Sequence, residues 1–276
     1  MVPLEYLLKF IDEDAPFGDV TSDSVIPDVT CRAVIRAEQD GVTAGLLEVA
    51  ALFSHFGVDV QQDTRDGETV QAGTVLLSLF GPAKKVLLVE RTALNIIGRM
   101  SGIATQTRIL SDLVKKENSR CRVAGTRKTC PGLRVLDKKA VALGGGDPHR
   151  SGLSDGVLIK DNHLVLVPIK EAITRAKSAS AYRKVEVEVE TTNDAIAAAR
   201  AGADILLFDN MTPDRVRTTI HELEQAGLRD KVIIELSGGI TADAIQEYAR
   251  TDADLISLGA LTHTVRNFSV TLEILK

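Results

Sequence analysis

From residue 121 onward the chain repeats one pattern: a short apolar run, a polar or glycine-rich cluster where the run stops, then a stretch with helical spacing. Cys121-Arg122-Val123-Ala124 ends in Gly125-Thr126-Arg127-Lys128-Thr129, and Val157-Leu158-Ile159 ends in Lys160-Asp161-Asn162-His163. Ile205 to Phe208 ends in Asp209-Asn210, Val232 to Ile234 in Glu235-Leu236-Ser237-Gly238-Gly239, and Leu255 to Leu258 in Gly259. Val185 to Val189 carries Glu186 and Glu188 within the run and Glu190 just after it. The pattern predicts strands near 121–125, 157–160, 184–189, 204–208, 232–237 and 254–258. Helices are predicted near 132–143, 165–180, 192–201, 212–227 and 241–250. Strands alternating with helices imply right-handed βαβ units and a parallel sheet. Six strands fall short of the usual eight of a closed α/β barrel. That leaves three readings: strands not yet found, an incomplete barrel, or an open sheet. Polar groups at the C-terminal ends of successive strands are how such a barrel builds an active site.

Residues 1–105 follow a different rhythm. Leu4, Leu7, Leu8 and Ile11 recur at helical spacing. Asp19 to Asp23 reads as a polar loop, Thr30 to Ala37 as a strand, and Thr43 to Phe56 as a helix ended by Gly57. Gly67 to Gly73 reads as turns around short strands. A long helix over about 84–116 is expected, broken at Ser101-Gly102. These features predict a small α+β domain over 1–105 ahead of an α/β domain over 106–276, whose C-terminal tail can pack back on the first.

Composition narrows the function. The 276 residues are 44% hydrophobic but only 4% aromatic, with no Trp, so the core must be aliphatic. No apolar run approaches the roughly 20 residues that span a bilayer, and no basic-then-apolar leader opens the chain. Cys31, Cys121 and Cys130 are an odd number without metal-ligand spacing. Reduced thiols in a cytoplasmic protein are the expectation. A net charge of −5 argues against nucleic acid as a partner. Between Arg122 and Lys160, however, eight Lys or Arg stand against three Asp, a net of +5. A cationic stretch in an anionic protein suggests an anionic small ligand, although a basic surface helix over 134–139 accounts for part of it.

The clusters carry the candidate chemistry. Arg127 offers a planar fork for a carboxylate or phosphate, and Lys128 a compact charge beside it; a plain surface Arg-Lys pair reads the same way. Gly144-Gly145-Gly146 marks either a close backbone approach or a flexible loop, and it delivers His149-Arg150. With Lys160, these cations would repel one another unless a multiply charged anion sat among them. Glu186, Glu188 and Glu190 share one face of a strand, and the expectation is that all three point inward. Glu188 and Asp209, on adjacent strand ends, suit Mg²⁺ beside a substrate phosphate; a structural salt-bridge network is the competing reading. Ser237-Gly238-Gly239 leads into a predicted helix start that would offer N–H groups to a phosphate, with Gly259 joining it.

In order and spacing, these segments resemble the quinolinate phosphoribosyltransferases, a type II phosphoribosyltransferase family. The resemblance rests on Glu90-Arg91-Thr92-Ala93-Leu94-Asn95, Thr126 to Arg134, Gly144 to Arg150, Leu158 to His163, Val185-Glu186-Val187-Glu188, Asp209-Asn210 and Ser237 to Ile240. It runs from Gly18-Asp19-Val20-Thr21 to Leu261-Thr262-His263. It implies an N-terminal α/β sandwich domain and an incomplete α/β barrel of six or seven strands. It also implies transfer of phosphoribosyl from phosphoribosyl pyrophosphate to quinolinate, with decarboxylation, to give nicotinate mononucleotide for NAD biosynthesis. Carried over residue by residue, Arg127, His149, Arg150 and Lys160, with Thr126, would bind quinolinate, and Arg91 would reach in from the partner of a homodimer, alone or within a higher assembly. Lys128, Glu188 and Asp209 would be catalytic. Glu188 and Asp209 would hold Mg²⁺ directly or through water. Ser237, Gly238, Gly239 and Gly259 would hold the 5′-phosphate.

The chain departs from that family at Gly125, where Asp is frequent, at Asp147-Pro148, where Asn is common, and at Lys139, where Tyr is frequent. These positions bear on substrate choice. A paralogous phosphoribosyltransferase of the molybdenum-transport-associated type, a non-catalytic phosphate-binding barrel, and a class-I aldolase using Lys160 are the rival readings.

Overall fold

The computed structural model describes residues 2–275. In chain order the elements begin with helix α1 (Leu4–Asp14), α2 (Val20–Val25), strands β1 (Thr30–Ala37) and β2 (Gly41–Val42), and α3 (Leu46–His55). Next come β3 (Asp59–Gln62), β4 (Thr69–Val70), β5 (Val75–Pro82) and the long α4 (Ala83–Glu117). The βα repeats follow: β6 (Arg122–Ala124), α5 (Arg134–Leu143), β7 (Val157–Ile159), α6 (Asp161–Leu164) and α7 (Ile169–Ala179). They continue with β8 (Val185–Val189), α8 (Thr192–Ala201), β9 (Ile205–Asp209), α9 (Pro213–Gln225), β10 (Ile233–Ser237) and α10 (Ile245–Ala249). β11 (Leu255–Ser257), α11 (Ala260–His263) and β12 (Val270–Leu275) complete the chain.

The chain divides into two units, one of Met1–Arg108, Cys130–Gly145 and Leu261–Lys276, the other of Ile109–Thr129 and Gly146–Ala260. In the first, an antiparallel sheet has the order β12-β1-β5-β3. Helices α1 and α3 pack in this unit, with Leu7, Ile11, Val49, Leu52 and Phe53 buried. The sequence pattern does not reveal β3, β5 or β12. α2 stands where a polar loop is expected. Asp19 is its N-cap, accepting from the Thr21 and Ser22 N–H groups at 3.0 and 3.1 Å, so the polar residues are a helix start rather than a loop.

The expected break at Ser101-Gly102 does not occur, because α4 is continuous from Ala83 to Glu117. Ser101 Oγ accepts from Ala44 N–H at 2.9 Å. Gly102 lies against the backbone of Arg266 and Asn267, where a Cβ would run into the Arg266 carbonyl. The small residues admit a neighbouring backbone instead of ending the helix. Two charge clamps hold α5 within this unit. Arg99 forms a bidentate pair with the fully buried Asp137, at 2.8 and 2.9 Å. Lys139 pairs with the buried Glu48 at 2.6 Å and with Asp66 at 3.3 Å.

The second unit contains a six-stranded parallel sheet of order β6-β11-β10-β9-β8-β7. All six strands fall within a residue or two of the sequence pattern. A seventh position is occupied by a single parallel bridge, Ala124↔Asp147, with Gly125 N–H donating to Asp147 O at 2.9 Å and Asp147 N–H to Val123 O at 2.8 Å. The sheet curls on itself, because His149, just beyond this edge, reaches Glu235 on β10 and Glu186 on β8. The incomplete six- or seven-stranded barrel is thus borne out. Two of its helices start on side-chain caps, Thr191 for α8 and Thr212 followed by Pro213 for α9. The core is aliphatic, as the composition requires, with Phe53, Phe208 and Phe268 the largest aromatic side chains fully buried.

A Gly102→Ala substitution should therefore destabilise the protein by about 1–3 kcal/mol, the usual cost of overpacking. Its midpoint of chemical denaturation should fall accordingly. An unchanged midpoint would mean that the 266–267 segment does not press on α4.

Candidate active site

The C-terminal ends of β6 to β11 open into one cavity of ≈ 500 Å³. Its wall brings together Thr126, Arg127, Lys128, His149, Arg150, Lys160, Glu188, Asp209, Ser237, Gly238 and Gly239. Of the residues given a binding or catalytic role from the sequence, Gly259 and Arg91 are not in this wall. Gly259 follows β11, two residues beyond the lining Ser257. Arg91 is exposed on α4 in the first unit.

The cations converge. Arg127 and Arg150 are close enough that burial first, and the Arg127 charge next, pull the Arg150 guanidinium below its ordinary pKa. Arg127 Nε is buried without a hydrogen-bond partner. A buried, orphaned guanidinium N–H is a strong claim on an anionic acceptor. Lys160 pairs with Glu188. That pairing links the basic side of the cavity to its carboxylates, and it occupies the amine that an aldolase would need free.

The carboxylates divide by depth. Glu190 lies past the end of β8 and is exposed, contrary to the expectation that all three glutamates point inward. The strand has ended there, so the two-residue alternation no longer fixes its side. Glu188 faces the cavity. Glu186 lies deeper, 4% exposed, with Oε1 unpartnered. Its pKa is pushed up to about 7, first by burial and next by the Glu235 charge, against the pull of His149, Arg150 and Lys160. Glu235, 1% exposed, is the site residue that the sequence reading missed. Its signal was a lone charge in Ile233-Ile234-Glu235-Leu236, two residues before Ser237 and so on the same strand face.

At the other wall two turns lock together. Asn210 adopts a left-handed φ of 53°, and its N–H donates to Ser237 O at 3.0 Å. Gly238, at φ 92°, presses so closely on Asn210 that no Cβ would fit. The helix expected to open at Thr241 begins only at Ile245 and has five residues. Any phosphate here would therefore meet the turn's own N–H groups rather than a helix terminus.

Glu188 and Asp209 fit a hard cation. Glu188 pairs across the sheet with Leu207, which puts Asp209, two residues on, on the same face. Two carboxylates on adjacent strand ends, beside cationic groups able to hold a phosphate, are the donor set Mg²⁺ takes with substrate oxygens and water.

A parallel, curled sheet whose strand ends gather cations, carboxylates and a glycine turn around one cavity is an α/β barrel with a charged site at the C-terminal ends of its strands. The comparisons give the family. The model for "Quinolinate phosphoribosyl transferase, N-terminal domain" matches residues 19–101, and that for the C-terminal domain matches residues 103–273. The chain belongs to the quinolinate phosphoribosyltransferase family. It is 42% identical over 275 residues to a probable nicotinate-nucleotide pyrophosphorylase [carboxylating] of Methanothermobacter thermautotrophicus, covering 98% of each chain. A Bacillus subtilis protein of the same name is 40% identical, with 97% of this chain and 92% of that one covered. The solved nicotinate-nucleotide pyrophosphorylase of Francisella tularensis superposes with a TM-score of 0.92 at 30% identity, over 100% of this chain and 98% of that one. Among the described residues no helix is long and apolar enough to cross a membrane.

Between about pH 4.5 and 7 the folded protein keeps a proton on Glu186 that the unfolded chain has released. This group therefore makes stability fall as pH rises through that window and level off above it. Glu186→Gln removes the effect. The melting temperature of the variant relative to the parent should be higher at pH 8 than at pH 5 in scanning calorimetry. Equal differences at both would show that Glu186 ionises as it does in water.

Proposed function

We propose that the protein is a carboxylating nicotinate-nucleotide diphosphorylase. It transfers the phosphoribosyl group of phosphoribosyl pyrophosphate to quinolinate and releases pyrophosphate and CO₂. The observation that carries this reading is the convergence of Arg127, Arg150 and Lys160, with a buried unpartnered Arg127 N–H, on a cavity that also bears Glu188 and Asp209. A planar diacid supplies the two negative charges that relieve the crowded cations.

In this reading Arg127, His149, Arg150 and Lys160, with Thr126, hold the two carboxylates and aim the pyridine nitrogen at C1 of the ribose. The nitrogen lone pair forms the new C–N bond as the C1–oxygen bond to pyrophosphate breaks. Positive charge grows on the ribose in that step, and Glu188 and Asp209 stabilise it. Lys128 offsets the charge on the departing pyrophosphate. Ser237, Gly238 and Gly239, with Gly259, cradle the 5′-phosphate. Mg²⁺ held by Glu188 and Asp209, directly or through water, would neutralise pyrophosphate oxygens. The positive charge now on the ring nitrogen stabilises the electron pair left on the adjacent carbon when its carboxylate departs as CO₂, and that pair then takes up a proton from solvent. Catalysis on this account is mostly positioning and electrostatics, and no covalent adduct with the protein forms.

The protein acts in the cytoplasm as a homodimer, with Arg91 of one protomer completing the acid pocket of the other. The free thiols of Cys31, Cys121 and Cys130 are in keeping with a cytoplasmic enzyme. The exposure of Arg91 supports a role at an interface.

With quinolinate, phosphoribosyl pyrophosphate and Mg²⁺, the purified protein should release CO₂ and pyrophosphate in equal amounts. With nicotinate as acceptor no CO₂ should appear. Absence of CO₂ from quinolinate would overturn the reading. Lys128→Ala should lower turnover by about 10²–10³-fold, the usual loss for one electrostatic group, while calorimetry still detects quinolinate binding.

A further inference from the structure

We propose that Glu235 is a positioning residue for this reaction: its buried carboxylate holds the imidazole of His149 in the one orientation in which it meets the bound diacid. The inference rests on the functional reading above and adds to it Glu235, which lines the cavity at 1% exposure and acts through His149.

His149 is held at three points. Its backbone φ is 55°, a left-handed conformation that a non-glycine residue adopts at a cost. Its N–H donates to Asp147 Oδ1 at 2.7 Å. Asp147 is itself fastened to β6 by the two backbone hydrogen bonds of the seventh sheet position. The strained backbone thus sets where the side chain starts. The third point sets where it ends, because Nε2 lies 3.1 Å from Glu235 Oε2. In this proposal Glu235 is the acceptor of that contact and Nε2 its donor. The choice of nitrogen and the plane of the ring are fixed together.

Glu235 suits this task better than its neighbour. Its strand position is paired on both sides, with Leu207 of β9 and Leu255 of β11, so its backbone cannot drift. Glu186 Oε2 stands 3.8 Å from the same nitrogen, beyond hydrogen-bonding distance, and its other oxygen has no partner. A second buried carboxylate beside Glu186 is costly, and an apolar side chain would relieve that cost. Stability alone therefore does not account for Glu235, whereas orientation of His149 does.

The test uses the full-length protein. In the wild type, ¹⁵N NMR of the His149 ring should report a hydrogen on Nε2. Glu235→Gln, whose amide can turn to donate instead, should change that signal. It should also raise the KM for quinolinate by about 10–100-fold, the range seen when the outer partner of a ligating histidine is lost. The KM for phosphoribosyl pyrophosphate should stay within about twofold, which a general loss of structure would not allow. The double variant His149→Ala/Glu235→Gln should be no worse than His149→Ala alone, since Glu235 acts only through the ring. Additive losses, an unchanged quinolinate KM, or an unaltered ring signal would overturn the proposal. So would a stoichiometric divalent metal on His149, Glu186 and Glu235, whose donor atoms lie within 4.8 Å of one another. The NMR measurement needs no turnover, so it separates failure of this inference from failure of the functional reading.

Discussion

Burial of two carboxylates, Glu186 and Glu235, within one aliphatic sheet is the constraint that the site depends on. Little of either is open to water, so the surrounding protein must do most of the solvating. His149, Arg150 and Lys160 supply opposing charge, and those same groups line the cavity into which the strands open. Arg150 is held between demands. Arg127 repels it and the two glutamates attract it. The charge met by a guest in the cavity is therefore set by Glu186 beneath it as well as by the residues of its wall, Glu235 among them.

A second set of buried charges does structural work in the first unit. Asp137 and Glu48 are fully buried, and each is answered by one cation, Arg99 and Lys139. Breaking either pair would leave an uncompensated charge, which costs far more than an exposed pair contributes. These clamps explain why residues 130–145, which fall between two strands of the parallel sheet, belong to the other unit. They also give Lys139 a reason. Where Tyr is frequent in the family, this chain has a cation that meets Glu48 and Asp66. The departure thus acts on packing within the first unit, and it does not lie in the wall of the cavity.

The parallel sheet was legible because its strands are short, apolar and stopped by polar clusters, so period and punctuation agree. The antiparallel sheet was not. β3 reads Asp-Val-Gln-Gln, with mostly exposed positions, and β12 pairs with β1 from the far end of the chain, a contact that no local pattern announces. The helix break expected at Ser101-Gly102 failed for a related reason. Local propensity treats glycine as a weak point, but here glycine is what lets the 266–267 backbone approach. At the site, cations at strand ends were easy to find. Glu235 was not, because a charge in mid-strand looks like an interruption until its partner is known.

Asp147-Pro148 departs from the Asn-His common in the family: Pro148 stands directly before His149, where the Asn would, and Asp147 Oδ1, one residue earlier, accepts from the His149 N–H. Proline at 148 gives up an N–H and fixes its own φ, and it favours extended backbone at 147, the conformation of the single strand bridge to Ala124. The loop can therefore leave the sheet edge along one path and still present His149 in its strained conformation. What the chain must conserve at this point is an acceptor, a stiff exit and an anchored ring. Any pair of residues that supplies the first two leaves the third to Glu235.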